Sequence, residues 1–81
     1  MTVLLKEKNI NTLKQKIKTA KNSDIELDLS SMNIIEASKI AVLSSVVYYG
    51  TNPTGKIKCR LKSDNIKNFI AGLALQNIEF V

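Results

Sequence analysis

The sequence predicts an α/β domain, a four-stranded and mainly parallel sheet with three helices on one face. Two observations carry that expectation. Stretches with the two-residue period of a strand alternate with stretches of helical period from one end of the chain to the other. In addition, the two best-defined strands alternate strictly: Ile25, Leu27 and Leu29 against Glu26, Asp28 and Ser30, then Ile57, Cys59 and Leu61 against Lys56, Lys58, Arg60 and Lys62. Parallel strands covered on both faces read as unbroken apolar runs, so strict alternation leaves one sheet face bare. Right-handed crossovers lay successive strands side by side with their helices on one side, provided the winding never reverses. The result is a one-layer β-α superhelix.

Each element has a local reason. Val3–Lys6 reads as a short first strand. Ile10, Leu13, Ile17 and Ala20 fall on one helical face, with Lys14, Lys16, Lys18 and Lys21 on the polar side and Asn9 or Asn11 as N-cap. The later lysines suit the negative end of that helix's dipole. Asp24–Leu29 is the second strand. A polar patch, Ser30 to Asn33, leads to an apolar helix over about Ala37–Tyr49. Of Tyr48 and Tyr49 at its end, only one can face the core. Gly50 to Gly55 is a turn-rich loop, and Lys56–Lys62 is the third strand. Ser63 caps a third helix with Ile66, Phe69, Ile70 and Leu73 spaced i, i+3, i+4, i+7. That spacing places Phe69 in the core, where Phe80 is expected as well. Ile78–Val81 closes the sheet.

The junction after the second strand carries a resemblance. Asp28-Leu29-Ser30-Ser31, then Ile34-Ile35-Glu36-Ala37-Ser38-Lys39-Ile40, then Val42-Leu43, resembles the central motif of the STAS family, the anti-sigma factor antagonists of bacteria and the related domains of sulfate transporters. Gly55-Lys56-Ile57-Lys58 is similar to the family's glycine before its next strand, and Ile66, Phe69, Gly72 and Leu73 to its closing helix. The resemblance runs from about Asn9 onward. It implies the same one-layer β-α superhelix, and docking onto a protein partner such as an anti-sigma factor kinase. The partner-binding residues it implies are Asn33, Glu36, Ala37, Ser38 and Lys39.

The departures are specific. Where the family has Asp-Ser-Ser-Gly, this chain has Glu36-Ala37-Ser38-Lys39. Ala37 stands at the phosphate-acceptor position and Lys39 replaces the helix-opening glycine, so the phospho-serine switch is expected to be absent. Ser38 is the remaining phosphorylation candidate, set against the plainer role of a serine near a helix start. The chain also lacks the family's first strand, since Val3-Leu4-Leu5 is the single strand candidate before the first helix.

Composition narrows the function. The 81 residues support one core, residues 1–81 forming a single domain, and 44% hydrophobic content is too high for a disordered chain. No apolar run reaches the roughly 20 residues of a membrane span, and no signal-peptide segment opens the chain. A single cysteine permits no internal disulfide and favours a cytoplasmic setting. Its abundant Lys, Ile and Asn match the usage of AT-rich bacterial genomes.

With no histidine, the commonest general base and metal ligand are missing. Cys59 reads as a buried thiol, and Asp24, Glu26 and Asp28 as a solvated strand face without the loop geometry of a cation site. No catalytic residue, metal site or cofactor is expected. A net charge of +5 raises nucleic acid as a partner, but the neighbouring acidic strand blunts the field, and no aromatic is interleaved with the basic residues. The expectation is therefore a non-enzymatic bacterial regulatory module, acting in control of transcription, that docks on a protein through residues 33–39. The alternatives are a structural or homodimerising module using the bare sheet face, and a weak nucleic-acid binder.

Overall fold

The computed structural model describes residues 2–20 and 23–81. Its elements run β1 (Thr2–Leu5), α1 (Ile10–Thr19), β2 (Asp24–Leu29), α2 (Ile34–Thr51), β3 (Ile57–Leu61), α3 (Asp64–Gly72) and β4 (Ile78–Phe80). The four strands form one sheet in the order β1-β2-β3-β4, and every pair is parallel. Winding never reverses, so the three crossover helices lie on one face, as the alternation of β2 and β3 predicts.

Register turns that alternation into two surfaces. Leu5, Leu27, Cys59 and Phe80 form one row across the sheet; Val3, Ile25, Ile57 and Ile78 form another. Both rows face the helices and meet Leu13, Ile17, Ala37, Ile40, Ala41, Ile66 and Ile70 in a single core. Leu4, Glu26, Lys58 and Glu79 form a row on the opposite face, with Asp28 beside Arg60. Leu61, at the exposed end of β3, is only partly buried.

The helix starts follow local chemistry. Asn9 caps α1, its side chain accepting from the Thr12 N–H at 3.0 Å. Ser63 caps α3, accepting from the Ile66 N–H at 3.4 Å. The second helix begins at Ile34, three residues ahead of the expected start at Ala37, because Asn33 and Glu36 form a capping box. That Asn-x-x-Glu spacing was present in the sequence.

Two expectations about the core need correction. Phe69 is not a core residue: it is 50% exposed, and Leu73 is exposed as well. The apolar stripe of α3 is wider than the surface available to it. Ile66 and Ile70 reach the sheet, while α3 touches α2 only sparsely and leaves the stripe's other edge open. Phe80 is half-buried at the sheet's edge, packed against the core with the Lys67 ammonium 5.9 Å from its ring centroid. Of the tyrosine pair, Tyr48 is buried and Tyr49 exposed. The Tyr48 hydroxyl donates to the Ser23 carbonyl and accepts from the Asn52 amide. Gly55 closes that corner: a Cβ there would come within 2.7 Å of the Tyr48 ring. The glycine is required by close approach.

Candidate docking surface

The strand-to-helix junction is held by its own side chains. Asp28, at the end of β2, accepts from the Ser30 N–H at 3.1 Å and from its hydroxyl. Those bonds, aided by Lys6 at 3.4 Å, hold the Asp28 carboxyl below its usual range. Asn33 accepts from the Glu36 N–H at 2.9 Å while Glu36 accepts from the Asn33 N–H at 3.3 Å. The second Glu36 oxygen lies 3.8 Å from Lys8.

The five residues of the resemblance do not share one surface. Asn33 and Lys39 are exposed, and Glu36 is partly exposed. Ala37 is fully buried beneath α2, so its side chain has no access to a partner. Ser38 sits in the second turn rather than at the helix start, a consequence of the early cap. Its hydroxyl donates to the Ile34 carbonyl at 2.6 Å, so its local hydrogen bond is already made.

A larger surface lies along the outer side of α2. This helix is apolar on both sides: Ala37, Ile40, Ala41 and Tyr48 face inward, while Ile35, Val42, Val46 and Tyr49 face outward. Val46 is 66% and Ile35 65% exposed. A helix that is hydrophobic all round is ordinarily covered all round. Here α1 packs closely against one flank, and the weak contact with α3 leaves a groove of about 660 Å³ on the other. Val42, Leu43, Val46, Phe69 and Leu73 form its walls, with Ile10 at one end. Among the described residues, Lys39 is the one charged residue lining it.

The signal of this surface is present in the sequence. Ile35, Val42, Val46 and Tyr49 are surplus to the core-facing set of α2 and keep a spacing of their own. An amphipathic helix needs one apolar stripe; α2 has two.

A second concavity is more polar. A cavity of about 450 Å³ at the opposite end of α2 is lined by Tyr49, Pro53, Lys56, Leu75 and Asn77. Three of its polar side chains are engaged within the protein: Lys56 donates to the Gln76 carbonyl at 2.8 Å, and the Asn77 amide both accepts from the Ser45 hydroxyl and donates to the Ser45 carbonyl. Cys59 is buried, and burial pushes its thiol up to about 12, which disfavours the nucleophilic thiolate. Compared with known proteins, the chain matches no family model, no curated sequence and no solved structure.

Proposed function

We propose that this domain is a non-enzymatic regulatory module that works by docking onto a protein partner, through the start and the outer face of α2. The observation that carries the reading is the apolar flank of α2 left bare between Ile35 and Tyr49. Contiguous exposed apolar surface of this kind marks interaction sites in small domains. Asn33, Glu36 and Lys39 border it and supply the polar rim of such an interface.

The resemblance to anti-sigma factor antagonists supplies the kind of partner, a cytoplasmic regulatory kinase or its relative. Two features support docking without a phospho-serine switch. Ala37 offers no hydroxyl at the acceptor position and is buried, and the Ser38 hydroxyl is engaged with the backbone. No helix among the described residues is long and apolar enough to cross a membrane, which is compatible with this setting.

The rival surface is the bare sheet face, where Leu4 is exposed among charges; it would serve a structural or self-associating role. Isothermal titration against the purified partner, obtained first by affinity capture, separates the two. Lys39→Glu and Val46→Asp are expected to weaken binding at least tenfold with circular dichroism unchanged, and Arg60→Glu to leave it within twofold. The reverse pattern would transfer the function to the sheet.

A further inference from the structure

The outward stripe of α2 has a defined period. Ile35, Lys39, Val42, Val46 and Tyr49 stand at successive intervals of four, three, four and three residues. This is the alternation by which one helix presents a seam to another. All five are exposed. At 1.5 Å per residue the seam is roughly 21 Å long, about four turns of a facing helix. Phe69 and Leu73 of α3 stand along its side as a second wall. Of the seam, Lys39, Val42 and Val46 line the groove, with Ile35 and Tyr49 beyond its two ends. An apolar groove bordered by such a seam fits a helix lying nearly parallel to α2, at the crossing angle of about 20° that three-four packing favours.

Charge decides which helix. The single charged position in the seam is Lys39. Its nearest acidic neighbour along α2, Glu36, is committed to the Asn33 cap and to Lys8. Among the described residues, the helices carry Lys14, Lys16, Lys18, Lys39 and Lys67 against Glu36 and Asp64. Asp24, Glu26, Asp28 and Glu79 lie on the strands instead. A second copy of this chain would bring one cationic helical layer against another. In a parallel pair it would set Lys39 against Lys39; in an antiparallel pair, against an apolar residue. Neither supplies a carboxylate. A lone lysine within a seam selects register and partner by what it must face.

We infer that the α2–α3 groove receives a single amphipathic α-helix from a different protein, with an apolar stripe of three-four spacing and a Glu or Asp opposite Lys39. This rests on the docking reading above and specifies its occupant. The binding mode is helix-in-groove: the apolar anchors provide the contact and the acid–lysine pair sets orientation.

Three labelled peptides of 21 residues test it by fluorescence anisotropy. One carries Leu at the three-four positions with Glu on the flanks, its twin carries Lys on the flanks, and the third is a scramble of the first. The Glu peptide is expected to bind at least tenfold more tightly than its twin, with a preference that shrinks as salt rises. Lys39→Glu should reverse the preference, and Val46→Asp, a change at an exposed position, should abolish binding of both. Amide shifts should be confined to α2, α3 and the start of α1 at Ile10. Equal binding of the two flanked peptides, binding of the scramble, or shifts on the strands would overturn the inference. So would self-association of the wild-type chain that Val46→Asp removes, or binding to phosphatidylglycerol vesicles in preference to the Glu peptide. If the native partner's binding is lost in Val46→Asp while no peptide binds, the docking surface stands and the helical occupant fails. If the native partner ignores both α2 variants, the docking reading itself fails.

Discussion

The domain has two uncovered faces, and they differ in what they leave unmatched. On the bare side of the sheet, Glu26 lies opposite Lys58 and Asp28 opposite Arg60. Arg60 reaches Glu26 at 3.5 Å, and Lys6 reaches Asp28 at 3.4 Å. Opposite charges in adjacent rows satisfy one another and water does the rest; each such exposed pair contributes a few tenths of a kcal/mol. The outer flank of α2 has almost no polar group to hydrate and an apolar seam with nothing over it. Exposure alone therefore does not distinguish a binding surface. Apolar surface that water serves poorly is concentrated on the α2 side, whereas the sheet face exposes Leu4 among its charges.

The strongest test of that contrast sets the covered side of the molecule against the groove. Leu27→Ala, in the fully buried row of β2, should cost about 2–5 kcal/mol in urea unfolding. Phe69→Ala, on the open wall of the groove, should cost under about 1 kcal/mol despite the larger side chain lost. Equal costs would mean that α3 closes against α2 and that no groove exists.

The thiol on β3 reports which face of that strand is covered. Cys59 keeps its proton in the folded state up to about 12, against an ordinary value of 9.0. The unfolded chain releases that proton first, so stability should fall as pH rises between those two values. Cys59→Ala should flatten this part of the pH profile. The native thiol should also resist Ellman's reagent until the protein unfolds. Fast native labelling would show that the two faces of β3 have been assigned in reverse.

A smaller effect is expected on the inner side of α2. The Ser44 hydroxyl is fully buried and has no hydrogen-bond partner among the described residues. Ser44→Ala removes an unsatisfied group from the core and should stabilise the domain by about 1 kcal/mol. A loss of stability would indicate that the hydroxyl has a partner after all. Least of all should come from the sheet's bare side. Arg60→Ala is expected to shift stability by no more than about 0.5 kcal/mol, with the difference shrinking further in 1 M salt. A larger, salt-resistant loss would mark that face as the one with an energetic role beyond solvation.

Much of this architecture is local information. Ile25, Leu27 and Leu29 against Glu26 and Asp28 determine which side of β2 is covered, because a two-residue period leaves a strand no other choice. Cys59 follows by the same rule on β3, and Ser63 and Asn9 mark helix starts because their side chains answer amides only three residues away. Even the early start of α2 was written in Asn33 and Glu36. The candidate site was legible only in part: the junction near residues 33–39 could be located, but the fate of its members depended on packing. Ala37 points into the core because it shares the face of α2 on which Ile40, Ala41 and Ser44 pack against the sheet.

Tertiary structure alone decided what happens to surplus apolar surface. The sequence offers Phe69 beside Ile66 and Ile70, and Val42 and Val46 beside Ile40 and Ala41, without ranking them. A sheet of four short strands has room for one stripe from each helix. The distance at which α3 settles from α2 then determines whether the second stripes meet each other or remain open. That distance is set by the sum of contacts with β3, β4 and the core, to which every element contributes. No residue spacing within one helix encodes it, and it leaves Lys39, Val46 and Phe69 on the rim of an open groove.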